Sequence, residues 1–271
     1  MVLVFQENTW FAKRKDVRDS STESFFSPTY FLNLIEWNDI AHSTGGTLKS
    51  YFVGGFASKF LAYNISFRNT APPPSPKVEG AQAAALRVTG DEVAFYGCGM
   101  YGFQDTLYDH SGRHYFKECF RQGSVDYIFG NARSLYEDCT ISSVTKEGDA
   151  LTGYITAHGR ESKKEETGFS FINCKIDGSG KVLLGRARRV YATVVFSTTY
   201  MFGVVAPERW KNWGDPNRNK TSFFGEYNCF GDGANYSSRV SFGKQLRDYE
   251  AARFMNISYI NGSDWLPNHK K

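Results

Sequence analysis

The chain has no long apolar run: none of its segments approaches the roughly 18 consecutive apolar residues of a membrane-spanning helix, so no such helix is expected. It has no strong charge of either sign. The 32 basic and 28 acidic residues leave +4, too mild to argue for nucleic acid and compatible with approaching a polyanion without binding every anion. It has no recognisable secretory leader, because Met1 to Phe5 supply only five apolar residues before Gln6 and Glu7, with no basic start and no small-residue cleavage site. Nor is it poor in core-forming residues: 41% hydrophobic against 22% charged excludes a disordered chain. What is abundant is 23 Phe, 16 Tyr and 5 Trp beside 26 Gly, a mixture that favours strands and tight turns over a helical bundle. At 271 residues the chain can hold one large domain or two modest ones. Five glycosylation sequons, at Asn64, Asn219, Asn235, Asn256 and Asn261, suggest secretion even though no leader is visible.

A repeat runs through the middle. An aromatic residue, two others and a Cys recur at Phe95 to Cys98, Phe116 to Cys119, Tyr136 to Cys139 and Phe171 to Cys174, and Phe196 to Thr199 continues the series. An apolar residue follows two places on at Met100, Ile141, Ile176 and Met201, whereas Arg121 breaks the rule. The aromatic anchors are 21, 20, 35 and 25 residues apart, and each segment alternates as a strand does. Strand-rich coils of this length without helical periodicity predict a solenoid of the parallel β-helix type, its unequal rungs bulging as loops on a functional side. Within such a ladder the cysteines are either small interior residues or, about 4.8 Å from an in-register neighbour, feasible bridges Cys98–Cys119 and Cys139–Cys174 with Cys229 left over.

The same register places two acids together. Asp105 lies seven residues after Cys98 and Asp126 seven after Cys119, so the two carboxylates stack on one face of adjacent coils. Two carboxylates about 5 Å apart cannot both ionise cheaply, which yields an acid and a base or nucleophile from one residue type. Asp126 sits in the apolar run Val125-Asp126-Tyr127-Ile128-Phe129-Gly130 and needs a partner, for which Arg is the best candidate. The alternative is that both aspartates cap turns.

The stretch 82–137, together with 167–180, Leu184 to Arg189 and Trp210 to Asn217, resembles the plant-type pectin methylesterases, and weaker similarity extends from about Trp37 to Leu266. The resemblance implies a right-handed single-stranded parallel β-helix and a secreted glycoprotein that removes methyl esters from homogalacturonan during cell wall modification, with no metal and no cofactor. It implies roles as well: Asp105 as general acid then base, Asp126 as nucleophile, Gln104 and Gln82 as oxyanion donors, and Arg186 as the partner of Asp126. Substrate contacts carry over to Thr47, Gln82, Tyr108, Phe129, Arg186, Trp210 and Trp213, although for Phe129 interior packing is an equal alternative. The implied partners are pectin and a proteinaceous pectinesterase inhibitor; nucleic acid and membrane are not expected, the protein is read as a monomer, and its place is the extracellular cell wall.

Three departures qualify the resemblance. Arg188 stands where the family carries a sugar-contacting Trp; it can meet a galacturonate carboxylate but offers no flat stacking face, so weakened binding or impaired activity is expected. Arg121 replaces an apolar rung residue and, if buried unpaired, costs several kcal/mol. Residues 1–29 match nothing in the family and read as a polar arm, as though the first rungs were lacking; 30–267 form the β-helix domain and 268–271 a basic tail. Two other readings therefore remain, an inactive pectin-binding remnant and a β-helix glycoside hydrolase. The remaining His110 and His114, four residues apart in a strand-and-turn segment, are not expected to hold a metal.

Overall fold

The computed structural model describes the strands Val2–Gln6, Thr9–Lys13, Asn33–Trp37 and Gly54–Gly55 by their backbone, and residues 58–74, 81–145 and 153–267 with their side chains. Every strand from Asn33 onward belongs to one of three sheets, of seven, seven and eight strands, and all pairings within them are parallel. The chain visits the sheets in rotation. One coil runs through Phe120–Gly123 in the first sheet, Val125–Gly130 in the second and Arg133–Glu137 in the third, then returns to Thr140–Val144 in the first. This is a parallel β-helix. Within 1–29, Val2–Gln6 and Thr9–Lys13 pair as an antiparallel hairpin, so part of the expected polar arm is strand. Residues 268–271 lie outside the described residues.

The interior follows the repeat. Phe95, Phe116, Tyr136, Phe171 and Phe196 are in register on successive coils, and their rings stack at 5.1, 4.7, 4.4 and 4.3 Å between centroids, all within 12° of parallel. Each such pair adds about 0.5–1.5 kcal/mol beyond the area it buries. The residue before each Cys turns the corner into the first sheet with positive φ, at Gly97, Glu118, Asp138, Asn173 and Asn228, and the thiol then faces a backbone carbonyl of the preceding coil. All five thiols are free, so neither bridge is formed. The geometric reason is that in-register parallel neighbours hold their Cα–Cβ bonds side by side at the strand spacing, whereas a disulfide draws the two Cβ atoms to about 3.8 Å.

The outer face of the third sheet is covered as well. Ala94, Tyr115, Leu135, Ile172 and Val195 pack under the C-terminal segment through Phe254, Tyr259, Ile260, Trp265 and Leu266. One coil before the last strand this in-register column stops: opposite Phe196 stands Glu226, fully buried and held by Nε and Nη2 of Arg239, each at 2.7 Å, with Arg209 at 3.4 Å.

Arg121 points inward. It shares a row with Phe67, Met100, Ile141, Ile176 and Met201 and is fully buried. Its guanidinium lies 4.4 Å from the Phe116 ring and 5.3 Å from the Tyr136 ring, and its three side-chain nitrogens have no hydrogen-bond partner among the described residues.

Candidate active site

The second sheet carries the site on its outer face. Leu107 pairs with Ile128 and Tyr108 with Phe129, an offset of 21 residues that also sets Asp105 against Asp126 on adjacent rungs. The backbone supports this register, since the Asp105 N–H donates to the Val125 carbonyl at 3.0 Å. Both aspartates adopt positive φ, 61° and 49°, a left-handed conformation that Asp tolerates better than most side chains. Both are buried. Gly130, which closes the Asp126 strand at φ 135°, is required there because a Cβ would run into the Asp109 carbonyl.

Arg186 comes from two coils further on. Its Nε donates to Asp126 Oδ1 at 2.8 Å and its Nη2 to Oδ2 at 2.5 Å, a bidentate clamp. The guanidinium lies over two rings, those of Trp213 at 3.9 Å and Tyr154 at 4.3 Å. Burial drives the Asp105 carboxyl well above the usual carboxylate range, the charge of Asp126 adds to this, and Arg188 and Arg186 reverse it only in part. Burial also raises Asp126, but there the hydrogen bonds and charge of Arg186, with the charge of Arg188, oppose it. Of the two, Asp105 therefore keeps a proton more readily, and Asp126, clamped by Arg186, gives one up more readily.

The other expected residues divide. Gln82 and Gln104 are half-buried on neighbouring rungs, joined where the Ala83 N–H donates to the Gln104 carbonyl at 3.1 Å. Tyr108 and Phe129 stack on each other at 4.3 Å and, with Ala157, form a cluster separate from the coil interior. Trp213 is 40% exposed, against Arg186. Trp210 does not face the groove: it is fully buried and stacks on Phe224 at 4.4 Å inside the coil. Strand alternation requires this, because Trp210 precedes Lys211, which is in register with the outward Arg186. Thr47 lies outside the described residues. Arg188 is half-buried, 5.5 Å from the centre of the Phe129 ring. His114 holds Asp109 and the Gly90 carbonyl with its two ring nitrogens.

Two residues were not anticipated. Tyr154 supports Arg186 from a coil inside the 35-residue gap of the repeat, where no aromatic–Cys pair marks the register. Arg87 lies 5.3 Å from the Tyr108 ring, in register with Tyr108, and the row continues through Phe129, Ala157, Arg186 and Lys211. Beside this row opens a cleft of about 290 Å³ bordered by the 159–167 loop, the extra length of the long rung.

Fold and site together set two buried carboxylates side by side on the outer face of a parallel β-helix, one of them clamped by an arginine. The family model described as Pectinesterase matches residues 34–263, and the chain belongs to the pectinesterase family. It is 56% identical over 237 residues to an Arabidopsis thaliana relative whose name places it among the pectinesterases as number 14, covering 88% of this chain and 71% of the relative. It is 52% identical to number 8 of the same organism, covering 87% of this chain but only 61% of the relative. Among solved structures, the pectin methylesterase from carrot superposes with a TM-score of 0.80 at 31% identity, over 88% of this chain and 77% of that one.

Proposed function

We propose that the protein hydrolyses the methyl esters of homogalacturonan, releasing methanol and leaving pectate. The observation that carries this reading is the bidentate Arg186–Asp126 pair beside Asp105, whose carboxyl burial holds well above the usual carboxylate range. Asp126, ionised, attacks the ester carbonyl carbon. The developing oxyanion takes hydrogen bonds from the Gln82 and Gln104 amides, a stabilisation worth about 3–4 kcal/mol per donor in comparable sites. As the tetrahedral intermediate collapses, Asp105 gives its proton to the departing methoxide, so methanol leaves and an acyl–Asp126 anhydride remains. Asp105, now a carboxylate, removes a proton from water; the hydroxide adds to the acyl carbon and Asp126 is expelled as carboxylate with Asp105 again protonated. Tyr108, Phe129 and Trp213 supply ring surface for the sugar chain. No step requires a metal or organic cofactor. Pectin as substrate places the protein in the cell wall.

Methanol release from highly methylated pectin tests the reading, beside an Asp126→Asn control. Release that the control lacks supports it. A folded protein that binds pectin and releases no methanol would be the inactive form that Arg188 and Arg121 bring to mind, and new reducing ends without methanol would indicate glycosidic cleavage.

A further inference from the structure

We propose that Thr156 is a positioning residue for the Arg186–Asp126 clamp: its buried hydroxyl fixes the stretch of backbone from which Arg186 reaches the nucleophile. The inference rests on the reading of Asp126 as the attacking carboxylate. It names a group that supports the reaction from inside the coil and touches neither substrate nor the reacting atoms.

The clamp spans a spacer strand. Gly153–His158 lies between Val125–Gly130, which carries Asp126, and Val182–Ala187, which carries Arg186. Toward Arg186 the pairing is one for one, Tyr154 with Leu183, Thr156 with Gly185 and Ala157 with Arg186. Toward Asp126 it is not. Val125 faces Tyr154 and Ile128 faces Thr156, so Asp126 and Tyr127 together stand against Ile155. Such a bulge re-aims a side chain and interrupts the ladder, here at the nucleophile itself. Thr156 is the first residue beyond the bulge that is paired on both sides.

Its hydroxyl is out of keeping with its row. Leu86, Leu107, Ile128, Thr156, Gly185 and Trp210 are in register on successive coils, and Thr156 alone among them carries a hydroxyl. It is fully buried, where an unbonded hydroxyl is costly. Its Oγ1 donates to the Leu184 carbonyl at 2.8 Å, and the β-branch restricts the rotation that would break this bond. Gly185 links Leu184 to Arg186, and a Cβ there would run into Thr156 Oγ1. A glycine gives that link the greatest backbone freedom. Thr156 takes the freedom away, holding the Leu184 carbonyl and filling the space beside Gly185. Arg186 can then present Nε and Nη2 to the two oxygens of Asp126 at once, an alignment that a fork requires and a point charge does not.

Two readouts test this in Thr156→Val, Thr156→Ala and Thr156→Ser, which leave Asp105, Arg186 and Arg188, the charged groups coupled to Asp126, in place. The first is the titration of the Asp126 carboxyl, followed by NMR on protein with isotope-labelled aspartate and assigned by its absence in Asp126→Asn. Thr156→Val crowds Gly185 and leaves the Leu184 carbonyl without this donor. The loosened clamp opposes burial less, so the Asp126 midpoint should rise by about one pH unit. Thr156→Ala should move it the same way, and carries the test should the Val variant not fold. Thr156→Ser, which keeps the hydroxyl, should hold it within about 0.3 unit. The second readout is methanol release. In the Val and Ala variants kcat should fall roughly 10–100-fold, its acid limb moving to higher pH, with KM changed less than about twofold. An unmoved Asp126 midpoint in a folded Val or Ala variant, a Ser variant as impaired as Val, or a loss carried by KM overturns the positioning role. A native chain that releases no methanol while the Asp126 midpoint still follows Thr156 overturns the hydrolytic reading alone.

Discussion

Replacing Arg121 with Met should stabilise the protein. Arg121 is fully buried in a row otherwise filled by Phe67, Met100, Ile141, Ile176 and Met201. Three guanidinium nitrogens lack a hydrogen-bond partner, and each unmet buried donor costs about 1–3 kcal/mol, together roughly 3–9. Contacts with the Phe116 and Tyr136 rings return about 1–2 kcal/mol each. Met fills the row, as at two other positions, and removes both terms; their midpoints, about 6 against about 3, leave a net gain of about 3 kcal/mol. For a domain of this size that raises Tm by roughly 5–12 °C. Urea unfolding gives the stability, read as a shifted midpoint at unchanged slope. A midpoint equal to or below that of the native chain would show that rings and thiols satisfy the buried cation, and the reasoning would fail.

Other expectations follow from the titrating groups. Burial raises the folded-state affinity of Asp105 for its proton, so the folded chain binds more protons than the unfolded one above about pH 4 and loses stability as pH rises through that window. Asp105→Asn should therefore be more stable than the native chain at pH 7, with the gap closing toward pH 4, while turnover falls by roughly 10²–10⁴; stability and methanol assays across pH check both. Arg186→Gln removes the group that opposes burial at Asp126, so the acid limb of the pH–rate profile should move to higher pH as kcat falls. His158 is fully buried, accepts from the Thr193 N–H at 3.1 Å and is depressed to about 3 by burial. Because the unfolded ring protonates near 6.5, stability should fall from there toward pH 3 by up to about 1.4 kcal/mol per pH unit. In His158→Gln, which keeps an acceptor, urea midpoints should decline less over that range.

The coil was legible because parallel in-register stacking gives each interior position the same residue type at each turn. Counting from Phe95 to Phe116 therefore found the hydrogen-bonded partners directly, even across the long gap to Phe171, and Asp105 and Asp126 inherited their register. Trp210 was misjudged because an aromatic ring suits a groove or a core equally; only alternation against outward Arg186 separates them. Tyr154 was invisible because its coil lacks the aromatic–Cys mark. The place of Arg121 in its row was legible, but neither its inward turn nor its packing against two stacked rings was, since sequence gives no depth.

Glu226 has a consequence for assembly. A column of stacked rings could in principle extend from one molecule into the next, as an open rod does. The buried carboxylate and its two arginines stand where the next ring would lie, and one further strand covers them, Gln245 pairing in register with Glu226. The stacked column thus ends inside the protein, beneath one more strand, and presents no ring at that place to a second molecule.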